Sequence, residues 1–181
     1  SKLQINLGSQ STLPADKPRY IFGADQKDGI TETLSGGSQS DRMYGGGGND
    51  VLYGYDGADY LEGNAGNDTL EGGDGEDTLL GGQGTDTLVG GADKDTLSGG
   101  GGGEDTLEGG ENEDTYLIRR GDGIVHLKDS GKNRILLDGK LFSGVFVKDK
   151  ESGKYLMIPE AGGAPIALEF NGPGRLTLDD Q

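Results

Sequence analysis

The chain has 181 residues, of which 38 are glycine and only 30% are hydrophobic, with no tryptophan, so a conventional apolar core of that length is excluded. Its 32 acidic residues outnumber 16 basic ones, and the stretch from Gly36 to Leu117 holds 19 acidic residues and two basic; such a surface repels nucleic acid and anionic membranes and attracts cations. Cysteine is absent, which removes disulfides and thiolate metal sites, and no apolar run is long enough to span a bilayer.

In chain order, residues 1–22 read as a lead-in from a preceding domain, and the opening SKLQINLG, without an initiator methionine, reads as a cut from a larger protein. From Gly23 onward the sequence falls into rows of nine. They start at Gly36, Gly45, Gly54, Gly63, Gly72, Gly81, Gly90, Gly99 and Gly109, preceded by GADQKDGIT at Gly23, which four extra residues, Glu32 to Ser35, separate from the next row. The row at Gly99 has ten residues. Position one is glycine throughout.

Position six is aspartate in every row: Asp28, Asp41, Asp50, Asp59, Asp68, Asp77, Asp86, Asp95, Asp105 and Asp114. Position eight is always apolar, from Ile30 and Met43 through Leu52, Leu61, Leu70, Leu79, Leu88, Leu97 and Leu107 to Tyr116. Position seven is threonine from Thr69 onward. Six residues ending in aspartate, then x-apolar-x, predict a turn followed by a very short strand, with position eight facing in and positions seven and nine facing out. One row makes a turn and a strand, so two make a coil of about 18 residues, and stacked coils give two parallel sheets at about 4.8 Å per layer.

These rows resemble the repeats-in-toxin (RTX) family, whose pattern is G-G-x-G-x-D-x-U-x; the row GGGGNDVLY fits every position. The resemblance implies an all-β parallel β-roll whose turns bind calcium between one row and the row two later, through the position-six carboxylates and turn carbonyls. On this chain the implied metal residues are Asp41, Asp50, Asp59, Asp68, Asp77, Asp86, Asp95, Asp105 and Asp114, with the turn glycines Gly48, Gly57, Gly66, Gly75 and Gly84. Ten rows allow at most about eight ions. Hard oxygen donors in flexible loops suit Ca2+ better than the strictly octahedral Mg2+. One apolar side chain per row is too little burial to offset the ordering of a glycine-rich chain, and stacked carboxylates repel one another, so the metal-free repeats are expected to be disordered.

Site strength is expected to vary along the repeats. Position four is glycine in the five rows from Gly45 to Val89, but Gln26 and Gln39 take it earlier and Asp93 and Asn112 later. Glutamine tolerates left-handed backbone poorly, which predicts strained N-terminal rows and the tightest sites in the middle.

After Leu117 the runs GIVHL, NRILLDG, GVFVKD, KYLMIP, PIALEF and RLTL predict antiparallel strands, and residues 118–181 read as a β-rich cap over the open end of a calcium-binding β-roll spanning 23–117. His126 is the one histidine and reads as a packing or surface residue; neither H-E-x-x-H nor G-x-S-x-G occurs, so the chain is not expected to be an enzyme. The resemblance further implies a secreted bacterial parent, a toxin, lipase or protease, exported by type I secretion machinery, with the rest of the parent chain as partner. The competing reading is an adhesin-type module that grips a receptor, a glycan or ice through its threonine columns or cap.

Overall fold

The computed structural model describes residues 5–7, 16–23, 31–119, 122, 124–128, 133–141, 144–148, 155–159 and 166–170. Among them there is no helix. The strands are β1 (Ile5–Leu7), β2 (Tyr20–Phe22), β3 (Thr33–Gly37), β4 (Arg42–Gly47), β5 (Val51–Asp56), β6 (Tyr60–Ala65), β7 (Thr69–Asp74), β8 (Thr78–Gln83) and β9 (Thr87–Ala92). They continue with β10 (Thr96–Gly101), β11 (Glu104–Gly110), β12 (Thr115–Ile118), β13 (Ile124–Leu127), β14 (Arg134–Leu137), β15 (Lys140–Leu141), β16 (Gly144–Lys148), β17 (Tyr155–Pro159) and β18 (Ile166–Phe170).

Successive strands alternate between two sheets, as the nine-residue period predicts. One is ordered β1-β2-β4-β6-β8-β10-β12-β14-β15, the other β16-β17-β18-β13-β11-β9-β7-β5-β3. Leu52 pairs with Leu70 and Leu61 with Leu79, two rows on in each case. The extra residue of the Gly99 row is absorbed in the turn before β11, so the pairing resumes with Leu88 opposite Leu107. Position eight forms the core: Ile21, Met43, Leu61, Leu79, Leu97, Tyr116 and Ile135 on one sheet face Leu34, Leu52, Leu70, Leu88, Leu107 and Leu127 on the other, all buried. Tyr116 fits this apolar stack because its hydroxyl accepts the N–H of Gly109 at 2.8 Å.

Several expectations are corrected. The strands are longer than x-apolar-x: most run six residues, from position seven into position three of the next row, so the ladder passes through the glycines. GIVHL and NRILLDG do not pair antiparallel to the roll. β13 lies parallel to β11, and β14 parallel to β12, so parallel coils continue beyond Leu117. Antiparallel pairing begins with β14 and β15 and with β16, β17 and β18, while RLTL lies outside the described residues.

The row phase near the N-terminus also changes. Asp28 and Ile30 lie outside the described residues, but β3 puts Leu34, not Ile30, opposite Leu52. Glu32 therefore holds position six of that row. The four residues that looked like a spacer, Glu32 to Ser35, include the entry and start of β3, so the surplus of sequence lies between Gly23 and Glu32.

Candidate metal centre

Each position-six aspartate ends a turn just before its strand begins, except Asp105, which is the second residue of β11, and the alternation of the strand sends its side chain inward. All nine predicted aspartates, Asp41, Asp50, Asp59, Asp68, Asp77, Asp86, Asp95, Asp105 and Asp114, are buried, at most 3% exposed. Burial of so many carboxylates demands compensation, because a desolvated charge without a partner is costly.

Half of that compensation comes from the backbone. The N–H of Asp41 donates to Oδ1 of Asp59 at 2.6 Å, that of Asp59 to Asp77 at 2.7 Å, that of Asp77 to Asp95 at 2.8 Å and that of Asp95 to Asp114 at 2.9 Å. On the opposite edge the same ladder runs from Asp50 through Asp68 and Asp86 to Asp105, at 2.7 to 2.9 Å. Each aspartate thus caps the coil before it.

The other oxygen is left over. Oδ2 of Asp50, Asp59, Asp68, Asp77, Asp86, Asp95 and Asp105 is buried without a hydrogen-bond partner. In the rows from Gly45 to Gly90 it lies beside the position-one glycine of its own row, where a carbonyl from the next coil also arrives. At Gly45, a Cβ would lie 2.9 Å from Oδ2 of Asp50 and 2.7 Å from the carbonyl oxygen of Gly63; at Gly63 it would meet Asp68 and the carbonyl oxygen of Gly81. Only glycine leaves room for these oxygens to gather. The invariance of position one was visible in the sequence; its meaning required the packing.

The electrostatics follow. Burial pushes Asp77 up to about 8, against the lowering effect of the Asp59 N–H, with Asp59, Asp95 and Asp74 adding repulsion. Burial likewise raises Asp95 to about 7, helped by Asp114, Asp93 and Glu76. Asp59, Asp68, Asp86 and Asp105 rise to about 6, and Asp50 also rises, again chiefly by burial. Desolvated carboxylate oxygens beside carbonyl oxygens, with no donor between them, form a set that suits a hard cation.

The five turn glycines lie where predicted. Gly48, Gly57, Gly66, Gly75 and Gly84 all have positive φ, from 116° to 135°. A Cβ at Gly57 would also lie 2.7 Å from the carbonyl carbon of Gln39, so neighbouring coils approach too closely for a side chain. Asp93 and Asn112 adopt positive φ at the same position, whereas Gln39 does not: its turn takes another conformation rather than the strained one expected. Position two was missed as a second left-handed position; Tyr55 at 75° and Asn64 at 74° hold it without glycine.

Among the described residues no three His, Cys, Asp or Glu side chains cluster as metal ligands. The carboxylates instead come one per coil along each edge, and the remaining oxygens at the position-one cradle are backbone. The family model for the RTX calcium-binding nonapeptide repeat (4 copies) matches residues 35–70, 53–88, 71–103, 80–116 and 89–124. Residues 35–124 belong to the RTX calcium-binding repeat family. These RTX rows are a calcium-binding module of a kind typical of secreted bacterial proteins. A search of curated proteins returned no match.

Residues beyond the RTX pattern complete the ladders. Arg19 and Glu32 precede the first aspartates, the N–H of Arg19 donating to Oδ1 of Asp41 and that of Glu32 to Oδ1 of Asp50. Asn133 follows the last, its Oδ1 accepting the N–H of Asp114 at 2.8 Å. Sequence reasoning missed all three because none is the expected aspartate. The signal was the apolar residue two places on, Ile21, Leu34 and Ile135.

Proposed function

We propose that this RTX module is disordered without calcium and folds when calcium binds outside the cell, and that this switch serves type I secretion and folding of the parent protein. The observation that carries the reading is the unpartnered Oδ2 repeated in Asp50, Asp59, Asp68, Asp77, Asp86, Asp95 and Asp105. The ions would be held by the position-six carboxylates from Asp50 onward, with backbone carbonyls of the turns that Gly48, Gly57, Gly66, Gly75 and Gly84 shape. Bound calcium supplies positive charge where the fold concentrates negative charge. Each site filled at about 100 times its dissociation constant adds about 2.7 kcal/mol to the folded state.

The chain's own residues set the direction of the switch. In the folded coil the backbone ladder fixes the orientation of each carboxylate, and the glycines keep methyl groups out of the cradle. In a calcium-poor cytosol the repulsion stays unbalanced, and an extended chain suits passage through a secretion channel; export to millimolar calcium lets the coils close. The module itself carries no catalytic role in this reading.

Circular dichroism of the full 181-residue chain, first with chelator and then with millimolar calcium, tests it. A coil-to-sheet transition that magnesium does not reproduce is expected. Sheet content unchanged by chelator would refute the reading.

A further inference from the structure

Asp41 differs from the aspartates that follow it. Its Oδ2 accepts from Nη2 of Arg19 at 3.2 Å, while its Oδ1 accepts from the main-chain N–H of the same arginine at 2.6 Å. Both residues are buried, Arg19 4% exposed and Asp41 1%. The register places Arg19 at position six of its own coil, since Tyr20 pairs with Arg42 and Ile21 with Met43. A guanidinium therefore stands where the later coils carry a carboxylate, and it faces the oxygen that Asp59, Asp77 and Asp95 leave without a partner.

From this contact we infer that Arg19 is a tethered cation that replaces calcium at the first step of this edge, making the step between the Arg19 and Asp41 coils independent of metal. The inference rests on the calcium-binding reading of the later steps. A covalently attached charge forms its pair at any calcium concentration, because its effective concentration is fixed by the chain rather than by the solution. Arginine suits the role: it stays charged when desolvated and presents its donors to a carboxylate in a fixed plane. Its Nε has no hydrogen-bond partner, so charge neutralisation rather than full donor satisfaction is what the burial achieves. At the other end of the edge the amide oxygen of Asn133 takes the place of the carboxylate and accepts the N–H of Asp114. The acidic run on this edge is thus bounded by one built-in cation and one neutral acceptor, and the calcium-requiring steps lie between them.

The test uses the full chain and two substitutions. Arg19→Gln strands the Asp41 carboxylate, so the Tm of the folded chain should fall by roughly 6 to 20 °C, by about the same amount at every calcium concentration at which the parent is folded. Arg19→Asp recreates the carboxylate pair of the later coils. It should bind one more calcium ion per chain than the parent by equilibrium dialysis, and recover Tm towards the parent value only as calcium is raised. An unchanged Tm in Arg19→Gln would overturn the inference, as would an Arg19→Asp chain that gains neither an ion nor stability in saturating calcium. The parent's own calcium titration separates this result from failure of the folding reading: a parent already folded in chelator refutes that reading, while the Arg19→Gln loss still reports the tethered cation.

Discussion

The main-chain N–H of Asp68 donates to Oδ1 of Asp86 at 2.8 Å, and Oδ2 of that same carboxylate is buried with no hydrogen-bond partner. One side chain thus does two separable things. It caps the coil before it by accepting a backbone N–H, and it places a negative oxygen in a glycine-lined recess. Because Asp68 and Asp86 sit in the same column two rows apart, the division repeats along the edge.

Substitution at Asp68 should resolve these roles. Asp68→Asn keeps an oxygen to accept the Asp50 N–H, now 2.7 Å from Oδ1, but removes the charge; the calcium midpoint should rise several-fold. Asp68→Ala also strands that N–H and should cost about 1 to 3 kcal/mol more in saturating calcium, read as a lower urea midpoint. Equal loss in both variants would show that the ladder bond contributes nothing.

Proton and calcium should compete for the same oxygens. Asp77 has a folded value of about 8 against 3.8 for the ordinary group, so the folded chain binds its proton more readily than the unfolded chain does. For the metal-free roll the charge penalty is absent below pH 3.8, grows above it and is complete above about 8; acidification therefore favours the metal-free fold. Calcium requires the deprotonated carboxylate, so its midpoint should move the other way, rising as pH drops from 8 to 5. Calcium titrations followed by circular dichroism at several pH values check both directions, and a pH-independent midpoint would contradict the burial argument.

Glycines that look alike in the sequence should differ sharply when substituted. A Cβ at Gly63 would press on Asp68 and lie 2.6 Å from the carbonyl oxygen of Gly81, whereas one at Gly101 meets nothing within 4 Å. Gly63→Ala should cost about 1 to 3 kcal/mol through overpacking and weaken the calcium response. Gly101→Ala should leave Tm unchanged or slightly raised, since it only stiffens the unfolded chain. Thermal melts in saturating calcium compare the two.

The coil architecture was legible because position eight repeats without exception: an apolar residue every ninth place can be buried only by a two-sheet stack, and Leu52, Leu61, Leu70 and Leu79 lie in it as expected. The aspartate column was legible for the same reason. What escaped was set by packing between coils rather than by the row itself. The cradle at Gly45 exists because Gly63 arrives from the next coil, and no single row contains both. Tyr55 shows the limit from the other side: its left-handed backbone breaks the glycine rule, and the ladder to Gly73 holds it there. The ends escaped because the pattern was followed through its aspartates, while Arg19 and Asn133 occupy the column with other chemistry.

The N-terminal row gives the sharpest comparison, since sequence spacing and strand register assign position six to different residues. Spacing assigns it to Asp28 and makes Glu32 part of a spacer. In the fold, the N–H of Glu32 donates to Oδ1 of Asp50 at 3.0 Å and its carbonyl accepts from Val51 at 2.8 Å, the contacts that Asp50 makes with Asp68 and Thr69. Its Oε2 lies 2.9 Å from where a Gly23 Cβ would stand, with the carbonyl of Gly45 alongside, so the longer side chain reaches the recess that aspartate fills elsewhere. Glu32→Ala should therefore raise the calcium midpoint as Asp68→Ala does, because both remove a carboxylate from a glycine-lined recess while the residue's own N–H bond to the next coil stays. Asp28→Ala should leave the midpoint unmoved. Parallel calcium titrations of the three variants decide it: a shift at Asp28 with none at Glu32 would return position six to the spacing, and the reverse fixes it by register.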